Sequence, residues 1–483
     1  MGQGIEMFVG RQQEIKAIEQ LLRKKTSSLM TITGRRRIGK SRLVEELARR
    51  NSDYQLLSFS GLSPRPGVSA EVQRKSFALR LQGLFQMAPV DASDWSYLLQ
   101  HLSDHCRDKK VIVLLDEISW LGHGDPDFLG KLKNSWDLSL KHNPELLLIL
   151  CGSVSSWIEK NILSSTGFMG RVSLRIHLEE LSLVESCSFL GGQGVALSAY
   201  EKFKILAVTG GVPRYLEEIL PDMSAEQNIR RLCYQKEGIL FNEFEDIFHD
   251  LFGNNEGRYM LIVELLSSGP KVLLEICDHL GVEKSGKIVE YLDDLVKSGF
   301  VSRDFTWDLK GSKSSKLSQY RLKDNYLRFY LHFIKQYKAQ IEAGSFKHKS
   351  QTALPGWESI MGLQFENLVI NNRHLLWELL SIPPEEVIND GPFFQTKTNR
   401  RQGCQIDYLV QGKYGTLYVA EIKFSRKPLS LKIIDEMRNR LLVLSCGKHQ
   451  SKIPILIHVN GVEESVIEED YFARVIDFSS FLV

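Results

Sequence analysis

Few stretches constrain a fold as tightly as GRRRIGKS, Gly34 to Ser41, set between an apolar run and a helical one. Leu29 to Thr33, just before it, are apolar and β-branched, as expected of a parallel strand buried on both faces. Leu43, Val44 and Leu47 then recur at helical spacing. Strand, loop and helix in that order match GxxxxGK(S/T). Gly34 and Gly39 let the backbone wrap a phosphate, and the amides opening the helix point at it. Lys40 is placed to neutralise the β- and γ-phosphate oxygens, Ser41 to ligate a metal, and Arg42 to lie beside them. ATP and Mg2+ are the expected cofactors.

A second strand complements the loop. KKVIVLLDEISWL runs through five apolar residues into Asp116 and Glu117. Carboxylates at the C-terminal end of a strand lie where open α/β sheets bind ligands. Asp116 is placed to hold Mg2+ and Glu117 to polarise an attacking water. A third strand, LLLILCGSV, ends in Ser153, at the position of a γ-phosphate sensor or of a turn.

FVGRQQEI, the loop, LLDEIS, LCGSVSSWI, MGRVSLRIHL and GGVPRYL follow one another in an order that resembles the archaeal-type ATPases of the AAA+/STAND class. The resemblance covers about the first half of the chain. It implies a parallel sheet with the acidic strand beside the sensor strand, and a helical lid. It further implies that Gly10 and Arg11 lie near the adenine and that Gly211 and Pro213 approach the base. Arg214 would be a lid sensor. Arg171 would act on a neighbour's γ-phosphate, which makes a homo-oligomer the expected assembly. For Arg11, Arg171 and Arg214 an ordinary surface ion pair is an equal reading, since a guanidinium alone identifies no role.

From about Gly257 three short amphipathic segments, RYMLIVELLSSG, KVLLEICDHLGV and SGKIVEYLDDLVKSGFV, precede two alternating runs joined by DLKGSKSSK. Helix, helix, helix, hairpin is the order of a winged helix-turn-helix. Lys310, Lys313 and Lys316 at the hairpin tip suit phosphates. The third helix mixes Glu290, Asp293 and Asp294 with Lys284, Lys287 and Lys297, so DNA contact and regulation of the nucleotide site are both open. In YRLKDNYLRFYLHFIKQYKAQI, Tyr326, Phe329, Tyr330 and Phe333 read as core. EAGSFKHKSQTALPG reads as a linker.

QIDYLVQ and TLYVAEIKF flank GKYG, a hairpin signal. With the turn centred on Tyr414, Asp407 faces Glu421, and Lys423 shares that face. Two facing carboxylates destabilise a hairpin unless a positive charge joins them, and a divalent cation would supply it. Asp407 and Glu421 are the expected Mg2+ ligands, with Lys423 orienting water or neutralising the oxyanion. The constellation resembles the restriction-endonuclease-like PD-(D/E)xK nucleases, with Ile406 where the motif has proline. The resemblance adds a glutamate on a preceding helix, which maps to Glu366 as a further ligand. Lys397, Arg400, Arg401, Arg426, Lys427 and Lys432 surround the hairpin and suit a nucleic-acid backbone.

At 483 residues the chain exceeds a single core. It divides into a P-loop ATPase core over 1–180, a helical lid over 181–250, a winged helix over 251–340 and a nuclease-like α/β domain over 341–483. A net charge of +2 leaves any DNA contact to local patches. Seven cysteines, never spaced CxxC, fit a reducing compartment better than a zinc ribbon. MGQGIEMFVGRQQEI lacks the regions of a signal peptide, and no apolar run approaches a bilayer span, so a cytoplasmic protein without membrane contact is expected. HExxH and GxSxG are absent. The sequence reads as an ATP-hydrolysing switch coupled to DNA binding, with Mg-dependent DNA cleavage by the last domain. The alternative is an ATP-gated DNA-binding regulator whose nuclease-like domain is inactive.

Overall fold

The structure, a computed structural model, describes residues 8–252, 255–346, 350–399 and 402–482. The chain forms two compact units, one of Met1–Glu179 with Lys297–Gly299 and one of Glu180–Val296 with Phe300–Val483.

The first unit is built on a five-stranded parallel sheet. Its strands are β1 (Ser28–Thr33), β2 (Gln55–Ser60), β3 (Val111–Asp116), β4 (Leu146–Gly152) and β5 (Val172–His177), in the order β2-β3-β4-β1-β5. Successive residues of β1, β3 and β4 alternate between two apolar clusters: Leu29, Val113 and Leu148 enter one, and Met30, Ile112 and Leu147 the other. Both faces are thus covered, which is why these strands are apolar without a break. The acidic strand β3 lies beside β4, as the resemblance implied. The Lys40–Arg50 helix follows β1 and buries Leu43, Val44 and Leu47.

In the second unit, helices including Ala199–Thr209 are followed by Glu256–Leu266, Leu273–Leu280 and Gly286–Lys297. A small sheet comes next, with β6 (Lys271–Val272) and β7 (Val301–Asp308) on either side of β8 (Lys313–Leu322). The last part is a mixed sheet of β9 (Val387–Gln395), β10 (Cys404–Gly412), β11 (Thr416–Phe424), β12 (Ser451–Val459) and β13 (Arg474–Asp477). β9, β10 and β11 pair antiparallel, and β11, β12 and β13 parallel. Alternate residues of this sheet serve two helices. Tyr408, Ala420, Ile422 and Ile457 pack with the Trp357–Asn371 helix, and Leu409, Val419 and Leu456 with Lys432–Val443.

One apolar cluster runs from Leu181 to Phe481, so segments 181–250, 251–340 and 341–483 share a core. The Trp357–Asn371 helix joins them through buried amides. Gln364 Nε2 donates to the carbonyls of Ala207 (2.7 Å) and Asn325 (2.6 Å), and Asn367 Nδ2 to that of Leu322 (2.8 Å). Tyr326, Phe329, Tyr330 and Phe333 are buried, as their spacing predicted.

Two segments make contacts that local spacing does not announce. The linker is anchored at both described flanks: Phe346 stacks on Tyr234 at 4.6 Å, and Gln351 Nε2 donates to Glu226 O at 3.0 Å. The hairpin offered to DNA phosphates is docked on the mixed sheet. Thr306 Oγ1 donates to Phe394 O (2.6 Å), Trp307 meets Phe393 edge-on, and Gln411 and Gln450 side chains both donate to Leu309 O. Trp307 and Leu309 are apolar residues at the tip that must be covered, and the β9 edge covers them. Lys310, Lys313 and Lys316 stay exposed.

Candidate functional site

The phosphate loop takes a shape that only its own residues permit. Gly34 has φ +139°, and a Cβ there would fall 2.5 Å from Leu178 O. Leu178 N donates to Thr33 O at 2.8 Å, and this close seam between the β5 end and the loop excludes any side chain at Gly34. Gly39, at φ +90°, starts the Lys40–Arg50 helix. Lys40 is buried, its Nζ donating to Gly34 O and Arg35 O at 3.0 Å each.

Ser41 Oγ donates to Asp116 Oδ2 at 2.7 Å, so the two expected metal ligands are adjacent. Glu117 has φ 48°, a left-handed conformation uncommon outside glycine. Its Oε2 accepts from Ser153 N (3.0 Å) and Ser153 Oγ (2.9 Å). Ser153 therefore touches the acid and is no simple turn residue. Ser155, which no local signal singles out, accepts from Gly34 N at 3.3 Å.

The arginines divide. Arg11 is buried and donates to Ile38 O (3.4 Å) and to Glu179 O, tying the chain start to the back of the loop. Arg42 pairs with Glu45 one turn on, at 3.5 Å. Arg171 forks onto Asp137 at 2.9 and 2.8 Å, which holds that carboxyl well below its ordinary range. In the second unit, Pro213 opens the short Pro213–Leu216 helix, and Arg214 pairs with Glu217 and Glu218 at 2.9 Å. Gly211 has its own structural reason, since a Cβ would meet Leu181 O at 2.5 Å.

The C-terminal acids come together as the hairpin register predicted. Tyr408 pairs with Ala420 and Gln411 with Leu417, centring the turn on Tyr414 and making Asp407 and Glu421 the next in line. Both share strand parity with Leu409 and Val419, and so face the Lys432–Val443 helix. Asp407 Oδ2 accepts from Ile422 N at 2.9 Å. Lys423 Nζ lies 3.4 Å from Glu421 Oε1 and 2.7 Å from Glu436 Oε2.

Where a divalent ion was expected, a basic side chain lies against both acids. Arg440 Nη1 lies 3.2 Å from Asp407 Oδ1 and 2.6 Å from Glu421 Oε2, so a guanidinium joins them. Glu421 is 1% exposed. Burial first, and the Asp407 charge second, push its pKa up to about 8, against the pull of Arg440 and Lys423. Glu366 is carried by the Trp357–Asn371 helix, which packs on the other face of the sheet from Lys432–Val443. Its pKa is pushed up to about 7 by burial and by Asp407, with Arg321 and Arg328 opposing. Among the described residues no three His, Cys, Asp or Glu side chains are grouped to hold a metal. Arg400 and Arg401 of the basic cluster lie outside the described residues.

Residues 8–219 match a family described as an ATPase domain predominantly from Archaea. The chain carries an archaeal-type ATPase domain. It is 26% identical over 412 residues to an uncharacterized protein of Methanocaldococcus jannaschii, covering 83% of this chain and 84% of that one. The Walker-type ATPase of Pyrococcus abyssi superposes with a TM-score of 0.51 at 16% identity, over 67% of this chain and 96% of that one. That likeness is one of fold. The Aeropyrum pernix ORC2 protein gives 0.41 at 14% identity, over 70% of this chain and 97% of that one. All seven cysteines are free, and no helix among the described residues is long and apolar enough to cross a membrane.

Proposed function

We propose that the protein is an ATP-hydrolysing switch that binds DNA through its helix–helix–helix–hairpin segment, a winged helix, and whose nuclease-like C-terminal domain does not cut. The observation that carries the first half is the 2.7 Å contact of Ser41 with Asp116 beside the glycine-framed loop. An ATP triphosphate would lie along the loop amides between Gly34 and Ser41, with the Lys40 ammonium against its terminal oxygens. Ser41 and Asp116 are the residues that would hold Mg2+, which neutralises phosphate charge when bound. Glu117, positioned by Ser153, orients the attacking water. Arg171 would serve a neighbouring copy in a homo-oligomer only after parting from Asp137.

The second half rests on exposed cations. Lys310, Lys313 and Lys316 line the hairpin, and the Arg303 guanidinium stacks on Phe305 at 4.8 Å beside them. Cutting is set aside because Arg440 holds Asp407 and Glu421.

ATP turnover and fluorescent-nucleotide binding test the switch. Lys40→Ala should lose both, while Glu117→Gln keeps binding and loses turnover. Turnover at the wild-type rate in both variants would sink the reading. Labelled duplex DNA tests the rest: anisotropy should respond to ATP, and supercoiled plasmid should stay intact with Mg2+.

A further inference from the structure

We infer that Arg440 is the resident cation of the C-terminal acid pair, occupying the position a divalent ion would need, so that the folded domain carries no divalent-cation site there. The guanidinium touches one oxygen of each acid, at 3.2 and 2.6 Å. The other Asp407 oxygen is committed to Ile422 N. The other Glu421 oxygen is shared with Lys423, which Glu436 tethers at 2.7 Å. Arg440 and Lys423 are therefore already seated among Asp407, Glu421 and Glu436 before any ion arrives. A metal ion would have to displace one of these cations or sit beside both, and like charges at that range repel strongly in a buried site.

Arg440 is not a loop residue that drifts in. It belongs to the Lys432–Val443 helix, whose Ile433, Ile434 and Met437 are buried against the sheet. Its own carbonyl accepts from Leu444 N at 3.0 Å and from Cys404 Sγ at 3.8 Å. The helix-borne backbone fixes where the guanidinium reaches. The acid–acid–lysine pattern thus persists as a closed ionic network that links β10, β11 and this helix.

The inference deepens the non-cutting reading, and Mn2+ binding tests it apart from any DNA assay. Full-length protein without nucleotide is titrated with Mn2+, with free ion followed by electron paramagnetic resonance. Wild type and Glu421→Gln should bind the same number of ions. Arg440→Ala should gain one further site, lost again in the Arg440→Ala/Glu421→Gln double variant, while Arg440→Lys gains none. An ion bound by wild type and missing in Glu421→Gln overturns the inference, as does a folded Arg440→Ala that gains nothing. Should Arg440→Ala not fold, the comparison of wild type with Glu421→Gln decides alone: equal binding supports the resident guanidinium, and a lost site refutes it.

Discussion

Replacing Glu366 by glutamine isolates what one half-buried carboxyl does to the second unit. Its pKa rises from 4.5 to about 7, through burial first and the Asp407 charge second. A carboxyl whose folded value exceeds its unfolded one keeps its proton longer in the folded chain. Between the two values the unfolded chain binds fewer protons, so stability falls as pH rises through that window. Below about pH 4.5 the group costs nothing, and above about pH 7 its cost is complete. An interval of about 2.5 in pH, at ~1.4 kcal/mol for each tenfold change in proton affinity, sets an upper limit of roughly 3 to 4 kcal/mol. Glutamine keeps the shape and never ionises. Glu366→Gln should leave stability at about pH 5 little changed and raise it at about pH 8 by an amount approaching that figure. Urea unfolding followed by tryptophan fluorescence measures the difference, and hydrogen exchange over Trp357–Asn371 confirms that the second unit is reporting. A stability difference from wild type that is equal at both pH values refutes the reasoning.

Three further outcomes are expected. Gly34→Ala places a Cβ 2.5 Å from Leu178 O at φ +139°. The strain, of order 1–3 kcal/mol, should weaken nucleotide binding at least tenfold without moving the unfolding of the second unit. Ser153→Ala removes the 2.9 Å hydroxyl bond that positions Glu117. ATP turnover should fall about tenfold at unchanged KM and recover in Ser153→Thr; an unchanged kcat counts against the assigned role. Gln364→Leu strands the carbonyls of Ala207 and Asn325 and removes one of three acceptors of the Arg328 guanidinium, Gln364 Oε1 at 2.8 Å. A loss of about 3 kcal/mol or more in urea unfolding is expected, and a loss under ~1 kcal/mol would contradict the keystone role of that amide.

The phosphate loop was legible because its chemistry is local. Two glycines, a lysine and a serine within eight residues fix a backbone path, and the apolar runs beside them fix a strand and a helix. The facing of Asp407 and Glu421 was legible for a similar reason, since a hairpin sets its register through its own turn. The residue that answers them was not. Arg440 stands 33 residues from Asp407, on a helix whose sequence marks it only as one more basic residue. The burial of Gln364 and Asn367, and the docking of Trp307 and Leu309 on β9, likewise depend on elements far apart in the chain.

Sequence alone therefore determined the strand–loop–helix unit and the strand pairing of the acids, because both are set by neighbours along the backbone. Tertiary packing alone decided which cation the acids meet and whether the hairpin tip faces water or protein. Those outcomes follow from which helix the sheet's alternate side chains press against, and no local spacing encodes that choice.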